Sequence, residues 1–214
     1  VKKELEEKKI LLQEVHHRVK NNLNVVASLL NLQTDNILNM EDAKKALKAS
    51  KDRVFSMALV HQKLYQSESI SVIDMSDYIH SLSSDLVNLY AGRCNIEREL
   101  HIDSVDIGIN QAVPCGLIIN ELITNAIIHG VGNFESGRIR ITLTKQPGTD
   151  CVLVVEDDGV GIPSSLLDSE GDTLGLKLVR VLTDQLDGKV HFKPLREDPK
   201  RPGTRVEIRV PPSD

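Results

Sequence analysis

The chain of 214 residues contains no tryptophan, and aromatic residues make up 3% of it. Proteins that bind single-stranded nucleic acid stack bases on aromatic side chains, so this chain has little material for that role. Its net charge of −5 also argues against binding to a phosphate backbone. We therefore expect no nucleic-acid partner.

Cysteines and long apolar runs are also scarce. Cys94, Cys115 and Cys151 lie far apart and form no CxxC pair, which argues against a zinc site or a redox pair. Without a secretion signal, an odd number of cysteines indicates reduced thiols in the cytoplasm. No apolar run approaches the ~18 residues that a membrane span needs. The charged segment VKKELEEKKILL has the pattern of a helix that begins further upstream, so we expect a further domain before it.

Residues 1–69 have the pattern of two amphipathic helices joined by the polar segment TDNILNMED. The second helix is predicted from about Asp42 to Gln66. Two helices cannot bury such a wide apolar face alone, so we expect a homodimer that forms a four-helix bundle. The seam residues are Leu5, Leu12, Val15, Val19, Val26 and Leu29 in the first helix, and Leu47, Val54, Met57 and Leu64 in the second.

Residues 70–214 mix helical and strand patterns. This order predicts an α+β sandwich in which helices cover one sheet. The predicted helices are 74–90, 110–130 and 174–188, the last ending at Gly188; the predicted strands are 95–100, 137–145, 150–158, 189–195 and 204–210.

Three polar residues recur at four-residue intervals in the apolar helix NELITNAIIHG: Glu121, Asn125 and His129. They are predicted to line one side of that helix. The plainer interpretation is a set of buried polar groups that satisfy one another. The functional interpretation is a stripe facing a ligand or a hydrated cation, since an amide oxygen suits Mg²⁺ and a glutamate can act as a base.

Two glycine-containing segments follow. In VVEDDGVGIP, Asp157 ends a strand and precedes Gly159 and Gly161, which let a ligand approach the backbone. Asp157 can accept a hydrogen bond from the amine of adenine. Guanine presents an oxygen there, and two facing acceptors would leave a buried group unpaired at a cost of roughly 1–3 kcal/mol. In GDTLGLKLV, a helix N-terminus can hold phosphate oxygens, although the segment is neither a P-loop nor a Rossmann turn. A tight turn and a plain helix start are the alternatives.

In their order and spacing, these segments resemble the motifs of the GHKL ATPase superfamily, which includes gyrase, mismatch-repair proteins, heat-shock chaperones and histidine kinases. NELITNA resembles its N box, DDGVG and LGLKLV its two glycine boxes, and GTRVEI its closing strand. The resemblance covers about residues 74–212. It implies a Bergerat-type mixed sheet with helices on one face, and ATP and Mg²⁺ as cofactors.

The resemblance also implies roles for individual residues. Asn125 would hold Mg²⁺ and Asp157 would read adenine. Glu121 stands where gyrase and the chaperones have their water-activating glutamate. The second glycine box has fewer glycines than is usual, because GDT stands where most histidine kinases have two glycines close together. The other nucleotide-binding residues would be His129, Gly159, Gly161, Gly175, Leu176 and Thr204.

The first helix carries a polar stripe opposite its seam, and His17 lies on it while His16 flanks the seam. An exposed histidine is usually only solvated, but beside an ATP-binding domain a neutral imidazole can attack a γ-phosphate. HHRVKNNL resembles the phosphoacceptor box of the histidine kinases that read HRxxN. By that resemblance His17 is phosphorylated, with His16 as the competing candidate. The stripe is Glu14, His17, Asn21, Asn24, Ser28 and Asn31.

Arg18 occupies the position after the histidine where ordinary histidine kinases have an acid. Glu14 and Glu121 are therefore the candidates to hold the ring proton, and Asn21 is placed to orient the ring or the γ-phosphate. We interpret 1–69 as dimerisation and phosphotransfer helices and 70–214 as the ATP-binding domain of a cytoplasmic sensor histidine kinase. An upstream sensor and a response regulator are the implied partners.

Two other functional classes remain open from sequence. One is a GHKL ATPase that uses hydrolysis for conformational work, which Glu121 favours. The other is a nucleotide-binding module without kinase activity, which the thin second glycine box favours. A serine-kinase anti-sigma factor would leave residues 1–69 unexplained.

Overall fold

The computed structural model describes residues 72–90, 94–132, 134–145, 150–163 and 173–211, together with four residues near the N-terminal end. Contacts between residues divide the chain into two units, Val1–Phe55 and Ser56–Asp214. The boundary predicted between residues 69 and 70 stays a prediction, because residues 52–71 lie outside the described part.

In the first unit the described residues are Met40, Lys44, Leu47 and Lys51, and all four are helical and exposed. Met40 is helical two residues before the predicted start near Asp42, a difference within the usual uncertainty of helix ends. Their 4-3-4 spacing places them on one face. Met40 is 74% exposed and Leu47 is 68% exposed, so this face presents apolar surface to solvent in the single chain.

The second unit is built on a five-stranded sheet. Its strands are β2 (Asn95–Ile102), β4 (Ser136–Lys145), β5 (Cys151–Asp157), β6 (Lys189–Pro194) and β7 (Thr204–Val210). They lie in the order β2-β4-β5-β7-β6. β2 and β4 are parallel and the other neighbours are antiparallel, so the predicted mixed sheet is confirmed. A small antiparallel pair, β1 (Val72–Asp74) with β3 (Asp106–Gly108), was not predicted. Three residues are too few to show an alternating pattern.

In the described part of the second unit, three α-helices accompany the sheet: α1 (Met75–Leu89), α2 (Ile109–Asn125) and α3 (Leu174–Asp184). α2 contacts both α1 and α3. It continues without a break into a π-helix, Ala126–Val131. The stretch Gln111–Val131 is long and apolar enough to cross a membrane by length and composition, but 61% of its most apolar window is buried within the protein, as suits a core helix.

The prediction that the last helix ends at Gly188 was wrong, since α3 ends at Asp184. Asp187 takes the left-handed conformation with φ of 53°. The Gly188 N–H then donates to the Thr183 carbonyl at 3.0 Å, and the Asp187 N–H donates to the Asp184 carbonyl at 3.0 Å. These are the two bonds of a Schellman motif, in which an aspartate replaces the usual glycine at the left-handed position.

The two faces of the sheet differ in chemistry. The apolar face lies in the core, and its cross-strand rows are Ile139–Asp157–Thr204, Ile141–Val155–Val206 and Leu143–Leu153–Ile208. The opposite face carries a charged row across four strands: Glu99, Arg140, Glu156 and Arg205. Asp157 therefore lies on the core face, at the end of β5 and directly opposite Thr204.

The charged row is joined by ion pairs. Arg140 contacts Glu99 at 3.0 Å and Glu156 at 3.3 Å, and Arg205 contacts Glu156 at 2.5 Å and Glu207 at 3.0 Å. The buried Glu156 carboxylate thus lies between two guanidinium groups, as a buried charge requires. This row links β2, β4, β5 and β7 at the same end of the sheet as Asp157.

Candidate nucleotide site

The Asp157 carboxylate is buried beside the first glycine-rich segment. The residue is 6% exposed. The Gly159 N–H donates to its Oδ1 at 2.9 Å, and Thr204 also hydrogen-bonds to it. Burial, with a smaller contribution from the Asp158 carboxylate, nevertheless outweighs the lowering by these hydrogen bonds and raises the pKa of Asp157 from 3.8 to about 6. A buried carboxylate of this kind suits a ligand that donates a hydrogen bond.

Two glycines bring the π-helix against this carboxylate. A Cβ on Gly130 would lie 2.7 Å from Oδ1 of Asp157, and a Cβ on Gly159 would lie 2.2 Å from the Gly130 carbonyl carbon and oxygen. The Val160 N–H donates to the Gly130 carbonyl at 3.2 Å. The backbones can approach this closely because neither residue has a side chain. Gly130 was not predicted as a site residue, since a glycine after a histidine at a helix end is typical of an ordinary helix stop.

Two further glycines shape the same turn. Gly161 has φ of 78°, and Gly203 has φ of 63°. A Cβ on Gly203 would lie 2.4 Å from the Asp157 carbonyl oxygen, and one on Gly161 would lie 2.7 Å from the Pro202 ring. Both positions therefore require glycine by conformation and by space. Gly161 was predicted to shape the pocket, whereas Gly203 was read only as part of a closing strand.

The three polar residues of NELITNAIIHG have different environments. Glu121 is 4% exposed within α2, Asn125 is half-buried at its last position, and His129 is exposed in the π-helix. They differ in burial, and the prediction that they line one side of the helix stays a prediction. A π-helix has more residues per turn than an α-helix, so the step of four residues from Asn125 to His129 is close to one full turn.

The predicted phosphate-binding residues lie in the first turn of α3. Gly175 and Leu176 are both buried there, and α3 contacts α2. The N-cap residue Thr173 is extended and makes no side-chain capping bond. Thr204, the predicted neighbour of adenine, is buried beside Asp157. The structure therefore brings Asp157, Gly159, Gly161 and Thr204 together.

A magnesium ion is compatible with Asn125. Its side chain offers a neutral oxygen, the hard ligand that Mg²⁺ accepts, and Mg²⁺ commonly takes its other ligands from substrate phosphates and water. Within the described ranges, no group of three His, Cys, Asp or Glu side chains could hold a metal ion. The predicted stem residues Glu14, His16, His17 and Asn21 lie outside the described residues.

Comparison with known proteins places this geometry in a family. A histidine kinase model matches residues 14–90, and a model described as histidine kinase-, DNA gyrase B-, and HSP90-like ATPase matches residues 110–214. The fold and site define the second unit as an ATPase domain of this class. The chain belongs to the histidine kinase family, as the resemblance of HHRVKNNL to the HRxxN phosphoacceptor box, together with the GHKL motifs, predicted.

Individual relatives agree with this assignment. The sensor histidine kinase PdtaS of Mycobacterium tuberculosis is 34% identical over 207 residues, 94% of this chain and 39% of that protein. Blue-light-activated histidine kinase 2 of Erythrobacter litoralis is 28% identical over 184 residues, 84% of this chain and 52% of that protein. The chain therefore spans between two fifths and about half of these curated relatives.

A solved structure confirms the fold class. The histidine kinase domain of the Erythrobacter litoralis EL346 blue-light activated histidine kinase has a TM-score of 0.66 and 26% identity to this chain. The match covers 88% of this chain and 95% of that domain.

Gly159→Ala should disrupt the contact between the turn and the π-helix. The new Cβ would meet backbone atoms of Gly130, which cannot move as a side chain can. We expect a loss of at least about 2 kcal/mol in the free energy of unfolding, measured by urea denaturation. Gly108→Ala is the control, because a Cβ there meets nothing within 4 Å. Gly108 is the N-cap of α2, where alanine is less favourable than glycine, so we expect a loss of about 1 kcal/mol or less. Equal destabilisation by the two changes would contradict the close contact.

Asp157→Asn should stabilise the nucleotide-free protein at neutral pH. The raised pKa means that the folded state retains a proton that the unfolded state loses between about pH 4 and pH 6. Ionisation of Asp157 thus lowers stability as pH rises through this range. We expect the variant to exceed wild type by about 1–3 kcal/mol at pH 7.5 and to show no such gain at pH 4.

This prediction is checked by urea denaturation at several pH values. Asp150→Asn, which changes an exposed aspartate just before β5, controls for the loss of one negative charge. A pH-independent difference between Asp157→Asn and wild type would contradict the raised pKa.

Proposed function

We propose that the chain is the catalytic core of a sensor histidine kinase that transfers the γ-phosphoryl group of ATP to His17. The buried Asp157 carboxylate, enclosed by Gly130, Gly159 and Thr204, is the observation that carries this proposal. In its ionised form it accepts a hydrogen bond from the adenine amine. Guanine would place an oxygen against it and leave both acceptors unpaired.

The phosphoryl transfer is assigned by chemistry and family. Mg²⁺, held in part by Asn125, would neutralise charge on the phosphates. A neutral imidazole nitrogen of His17 attacks the γ-phosphorus, the bond to the bridging oxygen breaks, and ADP leaves. The ring proton passes to a base, for which Glu14 and Glu121 are the candidates. Asn21 lies one helical turn from His17 in the predicted stem and would orient the ring.

Dimerisation through the first unit forms part of the proposal. Met40 and Leu47 expose apolar side chains on a face that also carries Lys44 and Lys51. A second copy of the chain would cover this face in a four-helix bundle. The histidine kinase family implies this assembly and a response-regulator partner, whose aspartate would receive the phosphoryl group. The three cysteines are free thiols, and we place the protein in the cytoplasm, downstream of a sensor domain.

An ATPase function is the second candidate, and Glu121 favours it. This carboxylate is buried in α2 four residues before Asn125, where it could activate water rather than serve a histidine. The two functions differ in the destination of the γ-phosphoryl group: histidine in one and water in the other. A binding module without chemistry would transfer it to neither.

His17→Gln should abolish phosphoryl transfer and leave nucleotide binding intact. We expect wild type, labelled with γ-³²P-ATP and Mg²⁺, to acquire a label that is labile to acid and stable to base, as a phosphoramidate is. His16→Gln is the matched control and should keep most of the label. Label lost in His16→Gln but kept in His17→Gln would show that His16 is the acceptor.

Phosphate release distinguishes the kinase from the ATPase. We expect His17→Ala to lower steady-state phosphate release at least tenfold, because the phosphohistidine is the route to phosphate in a kinase. Glu121→Gln should lower both the labelling and the phosphate release. Phosphate release undiminished by His17→Ala would favour the ATPase, and absence of both label and release would leave a binding module.

A further inference from the structure

Arg201 connects the loop before β7 to the turn that follows Asp157. Its Nη2 donates to Oδ1 of Asp158 and to the Ser136 carbonyl, both at 2.9 Å, and its Nε donates to the Asp158 carbonyl. The guanidinium carbon lies 4.3 Å from the centre of the Phe134 ring, in cation–π geometry. One half-buried side chain thus binds the residue next to Asp157, the start of β4 and an aromatic ring.

The residues that follow Arg201 contact the nucleotide site directly. Pro202 packs against Gly161, and the Gly203 N–H donates to the Gly159 carbonyl at 3.0 Å. Thr204 then pairs with Asp157 in the sheet and hydrogen-bonds to its carboxylate. The position of Arg201 therefore sets where this short segment meets the turn.

Arg201 also balances the charge closest to the buried carboxylate. Asp158 is held by the Arg138 N–H, which donates to its Oδ1 at 2.7 Å, and by the ion pair with Arg201 at 2.9 Å. Without Arg201, the Asp157 and Asp158 carboxylates would lie side by side at the end of β5, and Asp158 would lose its ion pair with the loop before β7. Like charges disfavour ionisation of a buried acid, and a protonated Asp157 could donate a hydrogen bond to an oxygen.

We propose that Arg201 is a positioning residue for purine selection. By holding Asp158 and the Pro202–Thr204 segment, it keeps the Asp157 carboxylate ionised and in the position that favours a 6-amino purine over a 6-oxo purine. The inference rests on the proposed binding of ATP. Arg201 acts through Asp157 and Thr204.

The test compares two nucleotides that differ only on this edge of the purine, where the 6-amine is replaced by an oxygen and N1 gains a proton. ADP and inosine diphosphate, each with Mg²⁺, are titrated into the whole chain by calorimetry at pH 7.5. We expect wild type to prefer ADP by about tenfold or more, the cost of an unpaired buried acceptor. In Arg201→Ala the ratio of the two affinities should fall at least about threefold, because the affinity for inosine diphosphate should fall less than the affinity for ADP.

Two variants separate this role from general stability. Arg201→Lys keeps the charge but lacks the planar fork, so its ratio should fall between those of wild type and Arg201→Ala. Arg209→Ala is the matched control, since Arg209 lies on β7, is exposed, and pairs with Glu207 at 2.8 Å. Its ratio should equal that of wild type. Thermal melting of each variant shows whether it folds. If Arg201→Ala does not fold, the nucleotide affinities of Arg201→Lys decide the outcome.

The outcomes separate the inference from the proposed function. Equal affinity of wild type for the two nucleotides would overturn adenine recognition itself. A strong wild-type preference that Arg201→Lys and Arg201→Ala both retain would overturn the role of Arg201 alone. Uniform weakening of both nucleotides, with an unchanged ratio, also overturns it, since that result indicates only a loosened loop.

Discussion

The site depends on placing an ionisable carboxylate inside a protein core. Asp157 occupies an inward-facing position of β5, in a row with Ile139 and Thr204, where an apolar side chain would pack more favourably. Its pKa of about 6 corresponds to a cost of about 3 kcal/mol when the group is ionised at neutral pH. That cost is tolerable only if the surrounding structure is held firmly by other contacts, and a ligand that donates a hydrogen bond to the carboxylate would offset it.

The rest of the domain supplies those contacts on both sides of β5. On the outer face, Glu156 lies between Arg140 and Arg205, so the strand is joined to both neighbours by charge as well as by backbone hydrogen bonds. On the inner face, Gly130 and Gly159 allow the π-helix to touch the turn. The π-helix has a structural role here: it ends α2 with a glycine backbone against the carboxylate. Such helices often occur at functional sites.

The sequence predicted the parts of the site that depend on residue type, and missed those that depend on backbone geometry. Asp157 and Gly159 stand in a recognisable order, and the long strands show either an alternating pattern or, in β5, a short apolar run. The π-helix, the left-handed Asp187 and the close approach of Gly130 depend on tertiary contacts that no local pattern records. Arg201 was missed for a similar reason: its partners Asp158, Ser136 and Phe134 are 43 to 67 positions away along the chain.

These observations give the loop before β7 a part in selectivity that its sequence does not reveal. A buried carboxylate discriminates between purines only while it is ionised and fixed in direction. A protonated acid can donate to an oxygen as well as accept from an amine, and a displaced carboxylate loses its contact with the amine. Thr204 and Gly159 fix its direction, and Arg201 is the cation on the neighbouring Asp158. In the proposed site, purine preference would thus depend on the electrostatic balance at the end of β5, more than on one residue that touches the base.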